Sequence, residues 1–340
     1  MSALVSVVVP CRNERPYIGS CLDSLMGNDY NSLEIIVVDG LSDDGTREVL
    51  SGYEQNHANI RVFDNPAFIT PTGLNKGIAR ARGSYIMVAG AHTTFPENYI
   101  STLVQHLEHL DAAGVGGSMI TRSDDSVIGQ SIAKTLSNRM GVGNSLFRLN
   151  MKHPVSVDTV PFGLYKRHVF DRVGYYDERL VRNQDIEFSK RIIRRVGKLY
   201  LIPTIRCHYY FKGGYDLLAR SNFRNGLWNI LAVYFTGNVF SISLRHVVPL
   251  LFMIFIFAGI VLGLMGHTFM YGLILAVLLV YMGMLLITAF RINDRSTSVG
   301  AIMWSFIVLH FSYGFGSLAG LVNLPVLAAK GIWRRLAGAV

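Results

Sequence analysis

Charge is scarce in this sequence. Only 16% of the 340 residues are Asp, Glu, Lys or Arg, against about 25% in a soluble domain. Hydrophobic residues make up 50%, with the excess towards the C-terminal end, so a uniformly hydrated globule along the whole length is excluded. Cysteine is scarcer still. Cys11, Cys21 and Cys207 form no CxxC spacing, which argues against a disulfide framework or a structural zinc site and fits a reducing compartment. Their plain reading is three buried, small, apolar side chains. Acidic residues number 23 against 32 Lys and Arg, for a net charge of +9. Such a balance suits nucleic acid, anionic lipid head groups or a phosphate-bearing substrate. Zinc-finger spacing and a basic heptad region are both missing, so nucleic acid is not an expected partner. The opening MSALVSVVVPCRNE has neither a basic n-region nor a long apolar core, and is not expected to act as a signal peptide.

What is there falls into two parts. As far as about residue 200, short apolar runs alternate with polar stretches of helical spacing. Residues 6–10 (SVVVP), 34–39 (EIIVVD), 60–64 and 85–89 (YIMVA) read as strands. Residues 14–26, with Ile18, Leu22 and Leu25 on one face, read as a helix, as do 45–53 (Thr46 as N-cap), 75–82 (ended by Gly83) and 98–110. Continuously apolar strands alternating with helices imply a mostly parallel sheet covered on both faces. Ligands of such sheets sit at the carboxyl ends of the strands.

The second part is apolar. Residues 247–265 and 269–290 carry no charge and read as membrane spans, joined through residues 266–268 into an antiparallel hairpin. Residues 299–327 are apolar too, but broken by Gly314, Gly316, Gly320 and Pro325. Arg220, Arg224 and Arg245 precede the hairpin, and Arg291 and Arg295 follow it, which puts its base and the N-terminal domain on the cytoplasmic side. The tail 330–335 (KGIWRR) is also basic; a single third crossing would put it outside, against the charge rule, and the alternative is a third segment that bends near its glycines and re-enters. Residues 215–240 mix Phe223, Trp228, Tyr234 and Phe235 with Arg220 and Arg224, which suits an amphipathic helix at the head-group layer or one packed on the globular domain. The expected domains are 1–212, a linker 213–245 and a membrane domain 246–340.

The polar residues after the strands form a series. Strand one runs into VVVPCRNERPYI and strand two into IIVVDGLSDDGTREVL; GLNKGIARARGSYI and NQDIEFSKRI follow. In composition and order this resembles the family 2 glycosyltransferases of the GT-A fold over residues 5–210. That family shows VVxPxxNE, VVDDGSxDGT, NxGxxxARGxYI, a DxD and an EDxxF or EDxxL element. VDTVPFGLYKRHVFDRVGYYDE and the hydrophobic hairpin are similar to the bacterial succinoglycan-type glucosyltransferases. The resemblance implies an α/β class: a Rossmann-like mixed sheet of the GT-A type followed by a C-terminal α-helical membrane segment.

It also implies roles. Asp39, ending strand two, would accept from base N–H groups of a nucleotide sugar, while Pro10, Arg12, Asn13 and Glu14 line base and ribose. Asp44, Gly45 and Thr46 shape the next turn, a pattern that turn chemistry and an N-cap also explain. Asn75 and Lys76 lie near the same edge, Lys76 on a phosphate or in solvent. Phe162, Gly163 and Tyr165 fall where the family builds its acceptor wall, or are packing. Arg220 and Arg224 would meet an acceptor pyrophosphate or lipid phosphates. Asp185 matches the catalytic base, or caps its helix, with Glu187 in support.

The departure is at VAGAHTTFP. The family's DxD carboxylates hold a divalent cation, Mg2+ or Mn2+, against the diphosphate. Here Gly90 takes the first Asp position of the donor site and His92 the second. Three readings follow: a cation held by His92, the diphosphate and a ligand such as His208; basic side chains in place of the cation; or an impaired enzyme. The expected activity is inverting transfer of a hexose, from UDP, to a polyprenyl-diphosphate-linked saccharide. It would serve surface-polysaccharide synthesis at the cytoplasmic face of a bacterial inner membrane. The alternative is a binding or scaffold protein of the same fold. SNFRNGLW is only a loose echo of the QxxRW element of processive synthases.

Overall fold

The computed structural model describes residues 2–211, 213–237 and 246–330. Arg245 and the tail beyond Lys330, both used above for topology, lie outside the described residues. The chain forms two compact units, one from Met1–Ile120 and Leu146–Tyr210, the other from Thr121–Ser145 and Phe211–Lys330.

The first unit is a nine-stranded sheet. Its strands are β1 (Val5–Cys11), β2 (Leu33–Asp39), β3 (Ile60–Asp64), β4 (Tyr85–Val88), β5 (Thr93–Thr94), β6 (Gly114–Arg122), β7 (Val155–Val157), β8 (Leu164–Lys166) and β9 (Leu199–Tyr210). They run β3-β2-β1-β4-β8-β6-β9-β5, with β7 beside β9. Strands β1 to β4 are parallel, while β8 is antiparallel to β4 and to β6. The sheet is therefore mixed.

Both faces are covered, as unbroken apolar strands require. Val5, Val7, Val9, Ile35 and Val37 pack against Ile18, Leu22 and Leu25 of α1 (Arg15–Met26) and Leu103 of α4 (Tyr99–His109). The alternate residues Val8, Ile36 and Val38 meet Leu74 and Ile78 of α3 (Thr70–Arg80), with Phe170 of α7 (Arg167–Val173) and Phe188 of α8 (Gln184–Arg195). Helix α2 (Thr46–Asn56) buries Leu50. Helix α3 starts five residues before the expected 75, because Pro71 in its first turn presets the helical φ.

The second unit is helical: α5 (Val127–Leu136), α6 (Arg139–Val142), α9 (Tyr215–Thr236), α10 (Val248–Leu264), α11 (Phe269–Ile292) and α12 (Val299–Lys330). Residues 121–145, read with the first domain from sequence, pack among these helices: Ile132 with Leu218 and Leu309, Met140 with Leu285 and Phe306. Lys134 pairs with Asp294 at 2.6 Å and donates to the Ile292 carbonyl at 2.8 Å. His310 bridges the Tyr281 hydroxyl and the Met140 carbonyl, each at 2.9 Å.

Helices α11 and α12 are long and apolar enough to cross a membrane; α10, with 17 residues, is shorter. Helix α12 runs unbroken through Gly314, Gly316 and Gly320 to Lys330, without the bend expected at the glycines. The glycines are contact points instead. A Cβ on Gly316 would strike the Phe223 carbonyl of α9, and one on Gly320 would lie 2.8 Å from Ile230 Cβ. Small residues let helix backbones approach in this way. Gly226, Trp228, Asn229, Leu231 and Ala232 of α9 are buried, so α9 is a packed helix of this unit, not one lying alone at a surface.

Candidate active site

Two turns after parallel strands are zipped together. Asn13, after β1, is left-handed (φ 55°). Its N–H donates to Ser42 Oγ at 2.8 Å, and its Oδ1 accepts from the Asp43 N–H at 3.1 Å. The Glu14 N–H reaches Thr46 Oγ1 at 2.8 Å, and the Arg15 N–H reaches Asp44 Oδ2 at 3.2 Å. Gly45 between them has φ 93°, which a side chain would resist. Desolvation raises the Asp44 carboxyl, but hydrogen bonds from Thr46 and Arg15 outweigh it and hold it below the usual range. Asp44, Gly45 and Thr46 thus build the turn.

Asp39 ends β2 opposite Cys11 in register, 1% exposed. Its Oδ1 accepts from Ser42 Oγ at 2.5 Å and its Oδ2 from the Ser42 N–H and Arg47, both at 3.0 Å. Arg47 continues to Asp64 at 2.9 Å. Asp39, Arg47, Val62 and Asp64 line a cleft of about 700 Å³. Lys76 donates to the Asp64 carbonyl at 2.5 Å. The Arg12 guanidinium lies 4.7 Å from the centre of the Phe68 ring, and Phe68 is left-handed (φ 62°) and 38% exposed. Sequence reasoning missed Ser42, Arg47 and Phe68, whose roles depend on backbone geometry and on β3.

At the end of β4 the register brings Gly163 alongside, with the Val88 N–H donating to its carbonyl at 3.0 Å. Phe162 (φ 45°) turns its ring over Gly90. A Cβ on residue 90 would lie 2.7 Å from Phe162 Cε1 and 3.1 Å from Thr93 Oγ1, closer than van der Waals contact permits. His92 Nδ1 is 3.0 Å from Glu14 Oε1, and its ring meets that of Tyr209 edge-on at 4.9 Å. His208 pairs in register with Thr94 on β5. Among the described residues no group of three His, Cys, Asp or Glu side chains could hold a metal ion. With residue 90 lacking a carboxylate and its space filled, the side chains do not fit a DxD-type cation site.

Asp185 stands exposed in the first turn of α8, after the left-handed Asn183 (φ 61°). Burial, then the Asp185 carboxylate, push the buried Tyr165 phenol up. The Tyr165 hydroxyl lies against Gly163. Phe188 fixes α8 by packing on Tyr176 at 4.3 Å and Phe170 at 5.2 Å. Glu187 is buried and paired with Arg191 at 2.6 Å, and Arg191 also donates to the Val173 and Tyr175 carbonyls. Asn75 donates to the Tyr176 carbonyl and to Glu178, and accepts from the Tyr176 N–H, all at 2.9 Å. Its side chain and that of Glu187 therefore hold the loop before α8.

The edge thus gathers Pro10, Asn13, Glu14, Asp39, Gly90, His92, Phe162 and Gly163 from the strand ends. Arg220 and Arg224 belong to the second unit. With Phe223, Ser312 and Phe315 they line an apolar groove of about 530 Å³, and Arg220 pairs with Asp216 at 2.9 Å. Burial and Asp39 push the Cys11 thiol up, and burial pushes those of Cys21 and Cys207 up to about 12, so none is a thiolate at neutral pH.

Comparison with known proteins bears on the family and the fold. The family model described as glycosyl transferase family 2 matches residues 6–174. Glycosyltransferase GlyG of Streptococcus pneumoniae is 33% identical over 222 residues, 59% of this chain and 71% of that protein. A dolichyl N-acetyl-alpha-D-glucosaminyl phosphate 3-beta-D-2,3-diacetamido-2,3-dideoxy-beta-D-glucuronosyltransferase of Methanococcus voltae is 26% identical over 274 residues, 75% and 84% of the two chains. Succinoglycan biosynthesis protein ExoA of Rhizobium meliloti is 25% identical over 211 residues, 60% of this chain and 62% of that protein. Among solved structures, the mannosyltransferase PcManGT of Pyrobaculum calidifontis, in complex with GDP-Man and Mn2+, shares the fold with a TM-score of 0.63. It is 16% identical, covering 95% of this chain and 88% of that one. Motif order, sheet order and these matches coincide, and the chain belongs to glycosyl transferase family 2 as a glycosyltransferase built on the GT-A sheet.

Proposed function

We propose that this glycosyltransferase moves a hexose, with inversion, from a nucleotide sugar (a UDP-sugar in the first instance) to a lipid-linked saccharide at a membrane surface. The observation that supports the reading is Asp185, an exposed carboxylate in the first turn of α8 whose charge bears on Tyr165, together with the buried Asp39 at the end of β2. Asp39 and Ser42 face the base, and Arg12 with Phe68 forms a flat cationic and aromatic wall beside it. The acceptor hydroxyl attacks the anomeric carbon as its proton passes to Asp185. A new carbon–oxygen bond forms, the bond to the diphosphate breaks, and the nucleoside diphosphate leaves with the electron pair.

A lipid-linked acceptor is supported by the name of the Methanococcus relative, which acts on a dolichyl-linked sugar phosphate, and by the apolar groove that carries Arg220 and Arg224. Helices α11 and α12 serve as the membrane anchor in this reading, and the basic residues Arg291 and Arg295 support a cytoplasmic catalytic unit. Membrane lipids are thus standing partners.

The deciding experiment is Asp185→Asn in detergent-solubilised protein. Transfer should fall about 10²- to 10⁴-fold while nucleotide binding persists; undiminished transfer would remove Asp185 from the role and leave helix capping. One observation favours a second reading. Gly90 stands where the family's first metal carboxylate is expected and the Phe162 ring crowds that position, which suits a scaffold that binds nucleotide without turnover. No transfer with any donor, with or without cation, would favour it.

A further inference from the structure

The missing carboxylate at residue 90 leaves the donor's diphosphate without the cation bridge that its family uses. Positive charge for that group must come from elsewhere, and the first unit gathers it around one ring. Tyr209, near the end of β9, is met edge-on by His92 at 4.9 Å. The Arg148 guanidinium, in the 3-10 turn Leu146–Arg148, lies 5.6 Å from the same ring and 5.6 Å from the ring of Phe147. Arg182 directly precedes left-handed Asn183 and stands three residues before Asp185. Burial raises the Tyr209 phenol; the charges of Arg148 and Arg182 act against that rise, and Glu14 adds to it. Arg148 and His92 therefore meet at the Tyr209 ring, and Glu14 pairs with His92 at 3.0 Å. His92 follows Gly90 by two residues, and Arg182 leads directly into the turn that carries Asp185.

We propose that Arg148, beside the Tyr209 ring with His92, and Arg182, which leads into the turn that carries Asp185, bind the donor's diphosphate and offset its charge in place of a divalent cation. The proposal rests on the nucleotide-sugar reading above. Guanidinium groups suit the task, since their planar fork matches phosphate oxygens and stays charged even when desolvation pulls it down, as burial does to Arg148. The leaving nucleoside diphosphate would then be stabilised by fixed side chains, and turnover would continue in chelator. Glu14 holds His92 at Nδ1, which turns the opposite ring nitrogen away from the carboxylate.

The test measures binding of UDP, UMP, GDP and GMP to the full-length, detergent-solubilised protein, in EDTA and in Mg2+ or Mn2+. Variants are Arg148→Gln, Arg182→Gln and Arg148→Lys. A diphosphate should bind in EDTA, and each Gln variant should weaken it about tenfold while the matching monophosphate is affected less. Arg148→Lys, which keeps the charge, should bind the diphosphate better than Arg148→Gln; retained monophosphate binding reports an intact fold. Diphosphate binding that needs the cation and ignores both Gln variants would overturn the proposal and leave the nucleotide-sugar donor standing. Failure of every nucleotide to bind the unaltered protein, with or without cation, would overturn the donor reading and this proposal with it.

Discussion

The ring of Phe162 fills the space that a side chain on residue 90 would need. Residue 90 ends the family's path to a metal carboxylate, and Phe162 closes it from the far side of the β4–β8 pair. Gly90→Ala would press its methyl group against Phe162 Cε1, at 2.7 Å before relaxation. Overpacking of this kind costs about 1–3 kcal/mol. Thermal or denaturant unfolding should show that loss, and Phe162→Ala in the same chain should recover part of it. Additive losses in the double variant would disprove the contact.

Glu34 gives the first unit a pH signature. This buried β2 carboxylate accepts from Ser6 Oγ and the Arg82 N–H at 2.6 Å, and from Arg61 at 2.8 Å. Desolvation raises its carboxyl, and those bonds more than reverse the rise, so it sits below the ordinary 4.5. A depressed carboxyl stabilises the fold fully above its unfolded value, and the gain is lost as pH falls through the folded one. Glu34→Gln should therefore be less stable at neutral pH, by about 3 kcal/mol if the pairing is broken outright. The gap to the unaltered protein should close as pH drops below 4.5. A gap independent of pH would mean the carboxylate charge is irrelevant.

Gly316 is the tightest meeting of α9 and α12, with no room for a Cβ before the Phe223 carbonyl. Gly316→Leu should separate the two helices and destabilise the helical unit by more than the 1–3 kcal/mol of ordinary overpacking. Loss of monodisperse protein in mild detergent is the expected readout. A variant that purifies and melts like the parent would show the approach to be dispensable.

Membrane sidedness can be read with thiol reagents, because Cys11, Cys21 and Cys207 are all buried and give little background. Lys134 on α5 is ion-paired to Asp294 in the α11–α12 loop, so Ser137→Cys and Ser296→Cys should react from the same, cytoplasmic, side of sealed vesicles. Labelling of the two from opposite sides would break the proposed topology.

Much of the parallel half was legible in the sequence. Runs such as VSVVVPC and LEIIVVD carry apolar residues on both alternating sides because both sheet faces are covered. The antiparallel half was not legible. β8 has three residues and β6 opens on glycines, too little for a period to emerge. Partnerships across large sequence separations were equally silent: Phe162 with Gly90, Asn75 with Tyr176, Arg148 with Tyr209. Glycines 314, 316 and 320 looked like helix breakers because their local propensity is poor, while the neighbouring helix that requires them lies far off in the sequence.

Residues 121–145 leave the sheet after β6, pack with helices that follow residue 211, and return at Leu146. The polypeptide thus passes between the two bodies three times before Lys330. A fragment truncated after β9 would keep Ile132 and Met140 but strip away Leu218, Leu309 and Phe306. Such a fragment would carry a raw apolar surface in its middle. A catalytic piece that stays in solution would need that excursion replaced by a short loop, in addition to removal of the C-terminal helices.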